Sequence, residues 1–98
     1  MAAFTIRIEL YNGSTSDYER LHLAMSQYGF LRTIVADSGD RYALPTAEYN
    51  YEGLGTINDV LGNAQKAVAQ SGRPAGIFVT EAVRRLWIGL PTASPLVY

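Results

Sequence analysis

Phe4-Thr5-Ile6-Arg7-Ile8-Glu9-Leu10-Tyr11 is the stretch that decides the fold. Apolar Phe4, Ile6, Ile8 and Leu10 alternate with Thr5, Arg7, Glu9 and Tyr11. A period of two over eight residues is a β-strand with one dry face and one polar face. Asn12-Gly13-Ser14 ends it with turn chemistry. A helix then starts with Ser16-Asp17-Tyr18-Glu19, read as a capping box in which Ser16 and Glu19 satisfy each other's backbone amides. Tyr18, Leu21, Met25 and Tyr28 form its apolar stripe, with His22 at the edge, and Gly29 is placed to end it.

Beyond this unit the chain continues in the same style. Residues 30–37 are rich in Ile, Val and Thr and read as a second strand. Ser38-Gly39-Asp40 makes a hairpin turn. A third strand covers 42–51, and Pro45 inside it demands an edge, a bulge or a break. Thr56, with Asp59 three residues on, caps a second helix whose stripe is Ile57, Val60, Leu61, Ala64 and Val68. Ser71-Gly72-Arg73-Pro74 stops that helix. A strand begins near Ala75 with Ile77 and Val79 facing one way, so Phe78 and Thr80 face the other. Residues 84–90 fit one more short C-terminal strand, in which Trp87 points outward, opposite Leu86 and Ile88. The order strand, helix, strand, strand, helix, strand is the split βαβ pattern. Right-handed crossovers put both helices on one face of an antiparallel sheet. The expected fold is therefore an α+β, ferredoxin-like βαββαβ sandwich. One domain spans 1–91, and 92–98 form a loose tail.

Composition narrows the function classes. With 98 residues there is room for a single core. Hydrophobic residues at 48% and charged residues at 17% mark a folded chain rather than a disordered one. No apolar run is long enough for a membrane span, and Met1-Ala2-Ala3 does not open a secretory signal. The expected setting is cytoplasmic, with no membrane partner. Cysteine is absent, which excludes disulfides, thiolate zinc sites and cysteine nucleophiles. One histidine excludes multi-histidine metal sites. Gly53-Leu54-Gly55 lacks the third glycine and lysine of a phosphate loop.

The net charge of −1 argues against gripping nucleic acid through many phosphates. Seven of the eight basic residues are Arg, whose planar fork suits phosphate, carboxylate and stacked bases. A GC-rich coding sequence gives the same bias. Two helices cover only one side of the sheet, which leaves Thr5, Arg7, Glu9, Tyr11, Phe78 and Thr80 on the open side. Aromatic groups there either stack RNA bases or bury against a second copy of the chain. Asp37 and Asp40 flank the hairpin turn and read as turn caps, with a weak Mg²⁺ site as the alternative. Arg7 and Glu9 share a face two residues apart, as an ion pair on the strand surface or as an active-site pair.

The most informative stretch runs from Met25 to Leu44. It holds Met25-Ser26-Gln27-Tyr28-Gly29-Phe30, then Thr33-Ile34-Val35-Ala36-Asp37, Gly39, and Arg41-Tyr42-Ala43-Leu44-Pro45. In that order it resembles the GhoS family, small ferredoxin-like endoribonuclease antitoxins of type V toxin–antitoxin systems, related in fold to the small nuclease of CRISPR adaptation. The resemblance implies cleavage of a toxin messenger RNA by a dimeric or monomeric sheet protein, and a homodimer is expected here. It places Glu9 at the family's acidic position and His22 at its basic one, with Arg20 two residues earlier. It implies His22, Glu9 and Arg7 as catalytic groups, and Arg7, Tyr11, Arg20, Arg32 and Arg41 as RNA-binding groups. The CRISPR relative's aspartate falls near Tyr11-Asn12, where no acid stands, so no metal or other cofactor is expected. The alternative is a non-catalytic protein-binding or inhibitor module that uses the open sheet face.

Overall fold

The computed structural model describes residues 1–94. Along the chain lie β1 (Ala2–Leu10), α1 (Thr15–Gln27), β2 (Thr33–Val35), β3 (Arg41–Ala43), β4 (Glu48–Gly53), α2 (Ile57–Ser71) and β5 (Ala75–Ala82). β1 is the middle strand of an antiparallel sheet in the order β4–β1–β5. Leu31 adds a fourth position outside β4, exchanging backbone bonds of 2.9 and 2.7 Å with Asn50. That order is ferredoxin-like, and the fold is the expected α+β class.

Alternation in β1 works as its residues demand. Phe4, Ile6, Ile8 and Leu10 are buried against Leu21, Ala24 and Met25 of α1 and Val60, Ala64 and Ala67 of α2. Both helices therefore cover one face. The stripe of α2 is rotated from the expected one. Val60, Ala64, Ala67, Val68 and Ser71 are buried, whereas Ile57 and Leu61 are exposed. Alanines at 64 and 67 let the helix come close, and the larger side chains are left at its rim.

The cap of α1 differs too. Ser14, not Ser16, is the N-cap: its Oγ accepts from the Asp17 amide at 3.1 Å, and Asp17 accepts from the Ser14 amide at 2.9 Å. The earlier start places Asp17, 4% exposed, between Arg20 and Arg73, whose Nε donates to it at 2.9 Å. The Ser14 amide and then Arg73 hold the Asp17 carboxyl down at about 2. A lowered carboxyl pKa stabilises the fold above the unfolded value near 4, and that contribution is lost as pH falls toward 2. Asp17→Asn is expected to lower the melting temperature at pH 7 and to flatten its decline between pH 4 and 2. A decline as steep as wild type would refute this assignment. The second cap, Thr56 with Asp59, and the stop at Gly72 (φ 79°) form as expected.

Pro45 breaks the expected third strand into β3 and β4, and the Glu48 amide turns back to the Pro45 carbonyl at 3.1 Å. β2 and β3 thus leave the main sheet as a separate hairpin, and the expected 30–37 strand shrinks to Leu31 and β2. The C-terminal strand expected at 84–90 is absent. Residues 83–90 instead form an irregular arm across the open face. It is latched by Arg85, whose Nη1 donates to the Phe4 carbonyl at 3.3 Å and to Thr5 Oγ1 at 3.2 Å. Beyond the arm, the stretch expected to be loose pairs with β3. Ala43 donates to the Pro91 carbonyl at 2.8 Å, and Ala93 donates to the Arg41 carbonyl at 2.9 Å. The edge of β3 holds free amide and carbonyl groups, and pairing satisfies them. Residues 95–98 of the expected tail lie outside the described residues.

Candidate nucleic-acid interface

The arm divides the open face in two. Around Thr5 the sheet is covered. Around Arg7 and Glu9 it is free, and there Arg7 and Phe78 are cross-strand partners, as are Glu9 and Gly76. Phe78 is 69% exposed and Tyr11 is 51% exposed. Gly76 makes room for Tyr11, whose hydroxyl would lie only 3.2 Å from a Cβ at that position. With Arg7, Glu9, Tyr11, Gly76 and Phe78, the surface forms a shallow concavity of about 450 Å³. Arg7 Nε lies 3.3 Å from Glu48. An exposed pair of this kind is worth about 0–1 kcal/mol, so a ligand phosphate can take its place.

His22 is elsewhere. It is 8% exposed, on the helix-covered side, and its Nδ1 lies 2.6 Å from the Tyr49 hydroxyl. Arg7 and Glu9 face the opposite side of the sheet, so the structure does not bring the three expected catalytic groups together. Burial, and then the charge of Arg32, lower His22 to about 4. Burial likewise pushes the Tyr49 phenol up. At neutral pH the pair is an uncharged hydrogen bond inside the core. The unfolded chain takes up the His22 proton near pH 6.5 and the folded chain only near 4, so stability is lost as pH falls through that interval. The melting temperature is expected to drop between pH 7 and 4.5 in wild type. It should drop much less in the His22→Leu/Tyr49→Phe double variant, which removes both polar partners. Equal drops would show that His22 does not govern this interval.

The remaining expected RNA-binding residues are dispersed. Arg20 pairs with Asp17 on α1. Arg32 lies near enough to His22 and Tyr49 to act on both. Arg41 donates to Thr33 Oγ1 at 3.0 Å within the hairpin. Only Arg7, Glu9 and Tyr11 of the expected set share one surface. Asp40 is engaged in its turn with Ser38, and no cluster of three potential metal ligands exists among the described residues.

A second concavity, of about 440 Å³, lies between the hairpin and the arm. Trp87, expected to point outward, packs edge-on to Tyr42 at 5.9 Å, whereas Leu86 and Ile88 are the exposed ones. No sequence signal announces this cleft, because it exists only once the arm folds back over β1. Among the described residues, no helix is long and apolar enough to cross a membrane. No family model, curated protein or solved structure matches the chain.

Proposed function

We propose that the chain binds single-stranded RNA on the free half of its sheet. Following its GhoS-like pattern, we read it as a cytoplasmic endoribonuclease antitoxin that cleaves a toxin messenger RNA. The observation that carries the binding reading is Phe78, exposed directly across from Arg7 and beside Tyr11. Aromatic faces stack any base, and an Arg fork holds the phosphate between them. Glu9 is the acid–base group on this surface. Its carboxylate would take the proton from a ribose 2′-hydroxyl. The 2′ oxygen would then attack the adjacent phosphorus, and the 5′ oxygen would leave with a proton from water. Arg7 would offset the charge that develops on phosphate. This scheme needs neither a metal nor His22.

Fluorescence anisotropy with a labelled ten-residue oligouridylate tests the reading. Binding is expected at 50 mM salt. With one phosphate held by Arg7, a single strand gives a logarithmic salt slope of about −0.7. Glu9→Gln should keep binding and lose cleavage. No binding at 50 mM salt would overturn the proposal. A protein-binding module is the second reading, favoured by Val83, Leu86 and Ile88, which are 96–100% exposed on the arm. A chain that dimerises through these residues should become monomeric in light scattering when Leu86 and Ile88 are both changed to Ser.

A further inference from the structure

We propose that the cleft between the hairpin and the arm is a guanine pocket, the base-selective end of the same RNA path. This rests on the proposed sheet interface and adds specificity to it. The floor is built for access: Ala3 and Ala82 are cross-strand partners, and their small side chains leave depth above the sheet. At about 440 Å³ the cleft is in the size range of small-ligand sites, roughly 300–1,000 Å³. One wall supplies Asp37 and Tyr42 of the hairpin, and the other supplies Arg84 and Trp87 of the arm. Asp37 and Arg84 are exposed and have no hydrogen-bond or ion-pair partner among the described residues.

The donor and acceptor inventory selects the base. An ionised carboxylate only accepts, and it accepts best from two adjacent N–H groups. Guanine alone presents two neighbouring donors, N1–H and the N2 amine, on one edge. Adenine and cytosine set an acceptor beside their amine, and uracil flanks its N–H with two carbonyls. On its other edge guanine offers O6 and N7, the pair that an Arg fork holds. Asp37 and Arg84 thus match both edges of guanine, and Trp87 offers an aromatic surface for its ring. Ala3 and Arg7 lie four residues apart on β1, about 13 Å. Between them stands the arm, held by the bond from Arg85 to Thr5, so the pocket and the sheet platform are neighbouring but separate sites on one face.

Isothermal titration with the four nucleoside 5′-monophosphates tests the pocket. GMP is expected to bind at least about tenfold tighter than AMP, CMP or UMP, in line with one bidentate base contact. Asp37→Asn should erase that preference; the site is exposed, so folding is not at stake. Trp87→Ala should weaken all four nucleotides. Lys66→Ala should leave GMP binding unchanged, because Lys66 is exposed on α2, on the other side of the sheet. GMP bound no tighter than AMP, or a preference that survives Asp37→Asn, would overturn the pocket. Oligouridylate binding with no guanine preference would sink the pocket and leave the sheet reading standing. A guanine preference without oligouridylate binding would do the reverse.

Discussion

Phe4→Ala is expected to destabilise the fold by about 3–5 kcal/mol, the range for emptying a buried aromatic site. Phe4 is completely buried in the central strand, and that strand is paired on both sides. Its ring lies 5.9 Å from Tyr51, which in turn meets Phe30 edge-on at 5.3 Å. Neighbouring strands fixed by their ladders cannot close over the space, so the cavity persists. A domain of this length has a total stability of about 5–15 kcal/mol, so the loss is about a fifth of it or more. Urea denaturation should show a lower midpoint with an unchanged slope. Leu86→Ala serves as the control. Leu86 is fully exposed on the arm, and its removal should stay within about 0.5 kcal/mol of wild type. A Phe4→Ala cost below 1 kcal/mol would mean that the three-ring cluster does not hold the sheet to the helices.

What could be read along the chain is what neighbours in sequence decide. The alternation of 4–11 reported a half-covered sheet because each residue's face depends only on its own position in the strand. Thr56 and Asp59 announced a cap for the same reason. Where distant partners decide, the reading slipped. Ser14-x-x-Asp17 and Ser16-x-x-Glu19 have the same spacing. The first wins because Arg73, 56 residues away, completes it. Ile57 and Leu61 look like core residues, yet α2 turns Ala64 and Ala67 inward, where two helices and a sheet must meet closely. The arm has the alternation of a strand, but the edge of β3 captures residues 91–93 and leaves 84–90 unpaired.

The candidate site divides along the same line. Arg7, Glu9, Tyr11 and Phe78 could be placed on the open face by period two alone. That Tyr11 rests over Gly76 needed the register of β5 against β1. His22 could be seen at the edge of its stripe. Its partner Tyr49 comes from another element, and burial there is what keeps the imidazole neutral.

Phe78→Ala is expected to weaken oligouridylate binding by about 5- to 140-fold, corresponding to about 1–3 kcal/mol for one stacked base. The size follows from how little else holds the RNA. A chain with a net charge of −1 has no basic field to concentrate a polyanion, and Arg7 is the basic side chain in this concavity. Stacking must then supply most of the affinity. Arg7→Ala should instead reduce the logarithmic salt slope by about 0.7, the change for one single-strand phosphate contact. The two variants therefore fail in different ways, one in affinity at every salt concentration and the other mainly at low salt. Phe78 is 69% exposed, so its truncation should leave the urea midpoint in place, and any loss of binding belongs to the surface itself. Phe78→Trp should restore binding, because a larger π-face stacks at least as well. If Phe78→Ala binds as wild type does, then the aromatic side chains on the free half of the sheet are not a platform for bases, and RNA recognition by this face is wrong.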